Sequence, residues 1–283
     1  MTTTRKISAI FSSVPTIEGA GVHLKRAFGY HQVPQFDPFL MLDDFHTSNP
    51  DEYLAGFPWH PHRGIETITY ILEGLVEHGE SMGNKGTIGP GDVQWMTAGS
   101  GIIHQEMPQI SPTGTMWGFQ FWANLPAAQK MMQPRYRDVK AADIPVVTLA
   151  NGVTAKVISG ELNGVQGPVT EIVIDPLLLD ISVPPGTNLT LPVKEGYTVL
   201  AYLLTGTALF VSQNEPVDRE HVVLFEHTGD TVQLSAGDQT VRFLLLSGKP
   251  LKEPIAWQGP IVMNSQEELR VAFEEYHHGT FVK

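Results

Sequence analysis

A glycine-bounded run of β-branched, aliphatic and aromatic residues occurs twice in this chain. Gly64-Ile-Glu-Thr-Ile-Thr-Tyr70-Ile-Leu-Glu-Gly74 resembles Gly196-Tyr-Thr-Val-Leu-Ala-Tyr202-Leu-Leu-Thr-Gly206. Each copy is strand-forming in composition and has the length of one strand. Gly91-Asp92 followed by Ala98-Gly99 also lines up with Gly229-Asp230 followed by Ala236-Gly237. Such self-similarity predicts two related β-domains. The remaining strand-like runs include Val93–Met96, Met116–Trp122, Ala155–Ile158, Glu171–Ile174, Leu178–Val183, Ala208–Val211, Val222–Phe225 and Val241–Leu246. The 27 glycines and 21 prolines fit tight turns between them. Many short strands at regular spacing predict barrels or sandwiches.

The expected architecture is therefore all-β with two domains, residues 1–135 and 136–283. The polar stretch Asn124–Ile144 reads as their connection. One helix is expected, over 265–277. Ser265 with Glu268 makes a capping box, Leu269, Ala272, Phe273 and Tyr276 fall on one stripe, and Gly279 supplies a stop. That stripe must be buried, so the tail is expected to pack back onto a barrel.

Hydrophobic residues make up 42% of the chain and charged residues 17%, a globular balance. Net charge is -12 with no basic cluster, which argues against a direct nucleic-acid partner. There is no cysteine, so disulfides, thiolate metal sites, iron–sulfur clusters and cysteine nucleophiles are excluded. Residues 1–16 show no apolar signal-like core, and no run is long enough to span a bilayer. A cytoplasmic, monomeric protein without a membrane partner is expected.

Two segments carry metal-ligand chemistry. The first is Trp59-His60-Pro61-His62-Arg63-Gly64-Ile65-Glu66, and the second is Gly99-Ser100-Gly101-Ile102-Ile103-His104-Gln105-Glu106. On a strand, residues two or four apart share a face. As strands, these segments present His60, His62 and Glu66 on one face, and His104 and Glu106 on another. Three imidazoles and a carboxylate suit Fe, Mn, Co, Ni, Cu or Zn and leave coordination positions open. Spacing alone does not choose between Glu66 and Glu106. Through the internal repeat, His60 aligns with Pro192, His62 with Lys194, Glu66 with Thr198, His104 with Arg242 and Glu106 with Leu244. A single metal site in the first barrel is expected. The remaining histidines, His46 and His78 among them, show no convincing same-face partner. Phe57, Trp59, Trp95 and Phe121 read first as core, with pocket lining as the alternative.

The stretch Ala55-Gly-Phe-Pro-Trp-His60-Pro-His62-Arg-Gly, continuing to Glu73-Gly74, resembles the pirin family of bicupins. So does Pro90-Gly-Asp-Val-Gln-Trp-Met-Thr-Ala-Gly-Ser-Gly-Ile-Ile-His104-Gln-Glu106-Met. Asp37-Pro-Phe-Leu-Met-Leu-Asp-Asp-Phe45 and Gly259-Pro-Ile-Val-Met-Asn264 extend the likeness to nearly the whole chain. The resemblance implies two cupin β-barrels packed together, with iron, as Fe(II), in the first. It implies His60, His62, His104 and Glu106 as metal ligands, and leaves Glu66 as a neighbour that orients a histidine. Bacterial members are associated with quercetin 2,3-dioxygenase activity. That implies a flavonol and O2 as substrates, with Glu106 as general base and carbon monoxide released. Pirin itself is viewed as an iron-dependent regulator that binds protein partners, which is the alternative role.

Overall fold

The structure, a computed structural model, describes residues 2–211, 213 and 215–283. It is built from short antiparallel strands, with one α-helix among the described residues, Gln266–His277. Ser265 accepts from the Glu268 backbone while the Glu268 side chain returns to the cap, the expected capping box. Of the strand-like runs, Glu171–Ile174 fails. Glu171 adopts a φ of 61°, a left-handed conformation that ends extended pairing.

The chain forms two compact units, and neither is contiguous in sequence. One comprises Val14–Gln35, Phe39–Ala141 and Leu251–Lys283; the other comprises Met1–Ser13, Phe36–Pro38 and Ala142–Pro250. The division at 135/136 is thus corrected in four places, the shortest being Phe36–Pro38, which belongs to the second unit. Arg135–Val139 is an edge strand pairing with Val93–Thr97, so the supposed connection belongs partly to the first barrel. Ile7–Ser12 pairs with His221–Phe225 in the other unit. The tail after residue 250 joins the first unit because Ala256, Ile261, Met263, Leu269, Ala272 and Phe281 form one core against Ile103.

The first unit has a seven-stranded sheet in the order Arg135–Val139, Val93–Thr97, Ile65–Glu73, Met116–Asn124, Phe39–Thr47, Val22–Phe28, Val14–Glu18. A four-stranded sheet, Phe57–His62, Ile102–Gln109, Leu75–Glu80 and Lys85–Ile88, packs against it. Leu24, Phe45, Ile71 and Met116 of the large sheet meet Val76 and Ile88 of the small one. Cross-strand partners share a face, so the alternation of the Ile65–Glu73 strand divides it cleanly. Thr67, Thr69 and Ile71 face the barrel interior; Glu66, Ile68 and Tyr70 face the other side.

The second unit repeats this plan. Thr198–Thr205 is central in a seven-stranded sheet, and Asn188–Pro192 pairs with Thr231–Ala236 in the four-stranded one. Strand order shows that the second pair of repeat landmarks is out of step by one strand. Gly91-Asp92 leads into Val93–Thr97 of the large sheet, whereas Gly229-Asp230 leads into Thr231–Ala236 of the small sheet. The counterpart of the His104 strand is therefore Thr231–Ala236, not the strand carrying Arg242. The corresponding interior positions hold Leu189, Leu191, Val232 and Leu234, all buried in an apolar core. Arg242 instead makes a two-pronged ion pair with Asp180, at 2.8 and 2.6 Å. The positions of the second barrel that answer to the histidine strands thus carry apolar side chains, and they are not the residues that linear alignment paired with the ligands.

Candidate metal centre

The first barrel brings its two histidine segments together as neighbouring antiparallel strands, with His104 directly opposite His60. His60 and His62 lie two apart and point the same way. Their Nε2 atoms are 3.1 Å apart, and His104 Nε2 is 2.8 Å from His60 Nε2. The donor atoms of the three imidazoles lie within 4.8 Å of one another. His104 is 0% exposed and His62 2%.

The outer nitrogens define the tautomers. His60 Nδ1 is 2.8 Å from the Pro58 carbonyl oxygen and His62 Nδ1 is 3.1 Å from that of Pro260. A carbonyl only accepts, so each Nδ1 carries the proton and each Nε2 turns a lone pair inward. Burial lowers the pKa of all three rings. Repulsion from neighbouring rings adds to this for His62 and His104. Converging neutral lone pairs repel unless a cation lies between them, so this donor set fits a divalent first-row metal.

Glu106 sits two residues after His104, past an irregularity in register, opposite Phe57 on one side and His78 on the other. It lies outside the cluster of three imidazoles. Its carboxylate accepts a 2.6 Å hydrogen bond from Thr69 Oγ1 on the facing sheet. Burial raises its pKa to about 7, with Thr69 pulling the other way. Gln120 lies 2.9 Å beyond Thr69 in the same polar row.

Glu66 does not orient a histidine. It accepts from Trp95 Nε1 at 2.7 Å and Thr97 Oγ1 at 2.8 Å, on the face of the sheet away from Thr69. The cause is Gly64. Its φ of 77° interrupts the strand between His62 and Ile65, so the alternation that joins His60 and His62 does not continue to Glu66. Arg63 packs against the C-terminal tail. Its guanidinium reaches Glu275 at 2.7 Å and the Phe281 carbonyl at 2.9 Å, and it lies over the Phe281 ring.

His60, His62 and Glu106 open onto a cavity of about 550 Å³, within the roughly 300–1,000 Å³ range of small-molecule sites. Leu24, Met41, Phe45, Phe57, Trp122 and Trp257 form its apolar wall. Trp122 packs beside His62, and Trp257 beside Trp122 and Tyr30. Of the four aromatics weighed from sequence, only Phe57 lines the cavity. Trp95 and Phe121 are buried elsewhere and Trp59 is exposed.

His78 was missed. It is 4% exposed, stacks on Tyr136 and has its ring centre 5.5 Å from that of His104. Both its nitrogens are buried without a hydrogen-bond partner, and burial, then repulsion from His60, lowers its pKa to about 4. Its strand pairing with Glu106 is a long-range fact that no local spacing reveals. Trp257 and Pro260 were missed for a similar reason, since they reach the site from the tail. His46 is exposed and stacked on Trp117.

No described helix is long and apolar enough to cross a membrane. Residues 21–123 match the family model for pirin, and residues 178–282 match that for the pirin C-terminal cupin domain. A pirin-like protein of Caulobacter vibrioides is 43% identical over 98% of this chain and 99% of its own length. Human pirin is 36% identical over 98% of this chain and 94% of its own length. A crystal structure described as quercetin 2,3-dioxygenase from Acinetobacter baumannii superposes with a TM-score of 0.91 at 32% identity, covering 99% of this chain and 100% of that one. With the two barrels, the buried histidine cluster and matches across both halves, the chain belongs to the pirin family.

Proposed function

We propose that this protein is a metal-dependent dioxygenase that opens the central ring of flavonols and releases carbon monoxide. The supporting observation is the cluster of three neutral imidazoles, of which His60 and His62 open together with the Glu106 carboxyl onto one apolar cavity. Likeness to a quercetin 2,3-dioxygenase structure agrees with it. His60, His62, His104 and Glu106 are the proposed ligands, with Fe(II) the first choice and Mn, Co, Ni, Cu or Zn also compatible. Such a metal would supply Lewis acidity and, in every case but redox-inert Zn, a redox partner for dioxygen.

The chain's own residues do the rest. Phe57, Trp122 and Trp257 offer flat apolar surface to a fused ring system and exclude water from it. Glu106 takes the proton of the 3-hydroxyl onto a carboxylate oxygen, a general-base role. Thr69 holds that carboxylate by donating to it. Flavonol plus O2 contains all the atoms of the ring-opened depside plus carbon monoxide, so no external reductant is required.

The test is oxygen uptake and carbon monoxide release by metal-loaded protein with a panel of flavonols, alongside metal content. Wild type should turn over, while His62→Ala and His104→Ala should lose metal and turnover together. Metal-loaded wild type that consumes no oxygen with any flavonol refutes the proposal and leaves metal-dependent protein binding as the role to pursue.

A further inference from the structure

The cavity has a polar group that the proposed chemistry does not use. Glu18, Arg26 and Asp43 all line it, alongside Tyr30 and Trp257. Arg26 donates from Nε and Nη2 to the two oxygens of Asp43, at 2.8 and 2.7 Å. Its Nη1 lies 2.9 Å from Glu18 Oε1. Asp43 is the buried anchor, with its side chain 5% exposed, and Arg26 is the intermediate at 27%. Glu18 is the outer member at 43%. The fork of Arg26 is thus spent on carboxylates and carries no spare positive charge for a ligand; the triad is net negative. A carboxylate has lone pairs for several hydrogen bonds, so Glu18 retains acceptor capacity while Arg26 fixes its direction.

Chain geometry places this acceptor at the outer part of the cavity. Glu18 ends the Val14–Glu18 strand, whose hairpin with Val22–Phe28 docks on the loop before Phe57. There Ala20 N donates to Gly56 O at 3.0 Å. A Cβ on Gly19 would stand 2.6 Å from that same Gly56 oxygen, so the hairpin sits close against the cavity wall. Buried Glu106 and His62 mark the inner part, exposed Tyr30 and half-exposed Glu18 the outer part, and Trp122 and Trp257 the wall they share.

We infer that Glu18, oriented by Arg26 and Asp43, is a specificity-determining residue that selects uncharged, polyhydroxylated aromatic substrates. It accepts a hydrogen bond from an outer-ring hydroxyl and repels anionic substituents. This rests on the proposed flavonol chemistry and names the subset of flavonols the site prefers.

The experiment is anaerobic calorimetric titration of metal-loaded protein with three ligands that share the chelating 3-hydroxyl and 4-keto pair. Quercetin carries outer-ring hydroxyls, 3-hydroxyflavone carries none, and a quercetin sulfated on its outer ring carries an anion. A hydrogen bond to a charged group predicts that wild type favours quercetin over 3-hydroxyflavone by roughly tenfold or more. The sulfated compound should bind more weakly than quercetin. Glu18→Leu should bring the quercetin preference to within about threefold, and Glu18→Gln should relieve the discrimination against sulfate while keeping part of the preference. Melting temperatures confirm that both variants fold. An unchanged quercetin preference in Glu18→Leu overturns the inference and leaves the dioxygenase proposal standing. Failure of wild type to bind any of the three, together with no oxygen uptake, refutes both.

Discussion

Gly64→Ala probes the joint on which the site depends. Gly64 lies between the ligand-bearing Phe57–His62 strand and Ile65–Glu73, at a φ of 77°. A Cβ there would stand 2.0 Å from the Val262 carbonyl oxygen. The Val262 backbone also donates to Arg63 O at 3.1 Å, and Lys130 Nζ bonds both Gly64 O and Val262 O. Holding alanine in a left-handed conformation costs about 1–2 kcal/mol. Relieving a contact with backbone costs roughly 1–3 kcal/mol more, as overpacking does. The expected total is about 2–5 kcal/mol, or a melting temperature lower by roughly 5–15 °C. Moving residue 262 also moves Pro260, whose carbonyl sets the His62 tautomer. Losing such a partner typically weakens metal binding about 10–100-fold. Gly83→Ala is the control. Its φ is 97°, yet nothing lies within 4 Å of the added carbon, so it should cost only the dihedral penalty and leave metal affinity intact. Thermal melts of metal-free protein and competition titrations with a chelator provide the readouts. If both variants lose the same stability and bind metal equally well, the steric coupling of Gly64 to the tail is wrong.

The other predictions follow from side-chain placement. Glu66→Gln should leave metal affinity within about twofold, because Glu66 faces Trp95 and Thr97; a tenfold loss in a competition titration would contradict that. Thr69→Val should shift the ascending limb of the pH–rate profile to higher pH by roughly one to two units. Thr69 donates to ionised Glu106 and holds down a pKa that burial has already raised to about 7; without it less base is ionised at neutrality, and activity should recover in alkali. Elemental analysis should give one metal per chain, since Leu189, Leu191, Val232 and Leu234 fill the matching part of the second barrel; two tightly held equivalents would disprove this. Arg63→Met should cost about 1–3 kcal/mol, discounted because Glu275 is partly exposed, and should speed proteolysis near the C-terminus. Equal cleavage rates would show that Arg63 does not hold the tail.

Local pattern was enough for much of the fold. Strand composition, turn glycines and the Ser265–Glu268 capping box are properties of neighbouring residues, and nearly all of those expectations match observed elements. His60, His62 and His104 were legible because side chains two apart on one strand must share a face, and because two such segments offered complementary ligands. Glu106 was legible as a candidate, yet its tie to Thr69 depends on the facing sheet. His78 looked like an isolated histidine because its relation to His104 and Glu106 runs through pairing of Leu75–Glu80 with Ile102–Gln109.

The sequence by itself determined that this would be a cysteine-free, two-barrel β-protein with a histidine cluster in one barrel, since periodicity and side-chain chemistry are local. Only the tertiary structure decided which face Glu66 takes, which strand of the second half answers to His104, and that the tail completes the first barrel. Each turns on backbone geometry or on contacts between distant residues. A single positive φ at Gly64 resets the alternation of a strand. Strand order, not linear spacing, defines equivalence between the repeats. A carbonyl at Pro260, 198 residues beyond His62, fixes which nitrogen of that ring faces the site.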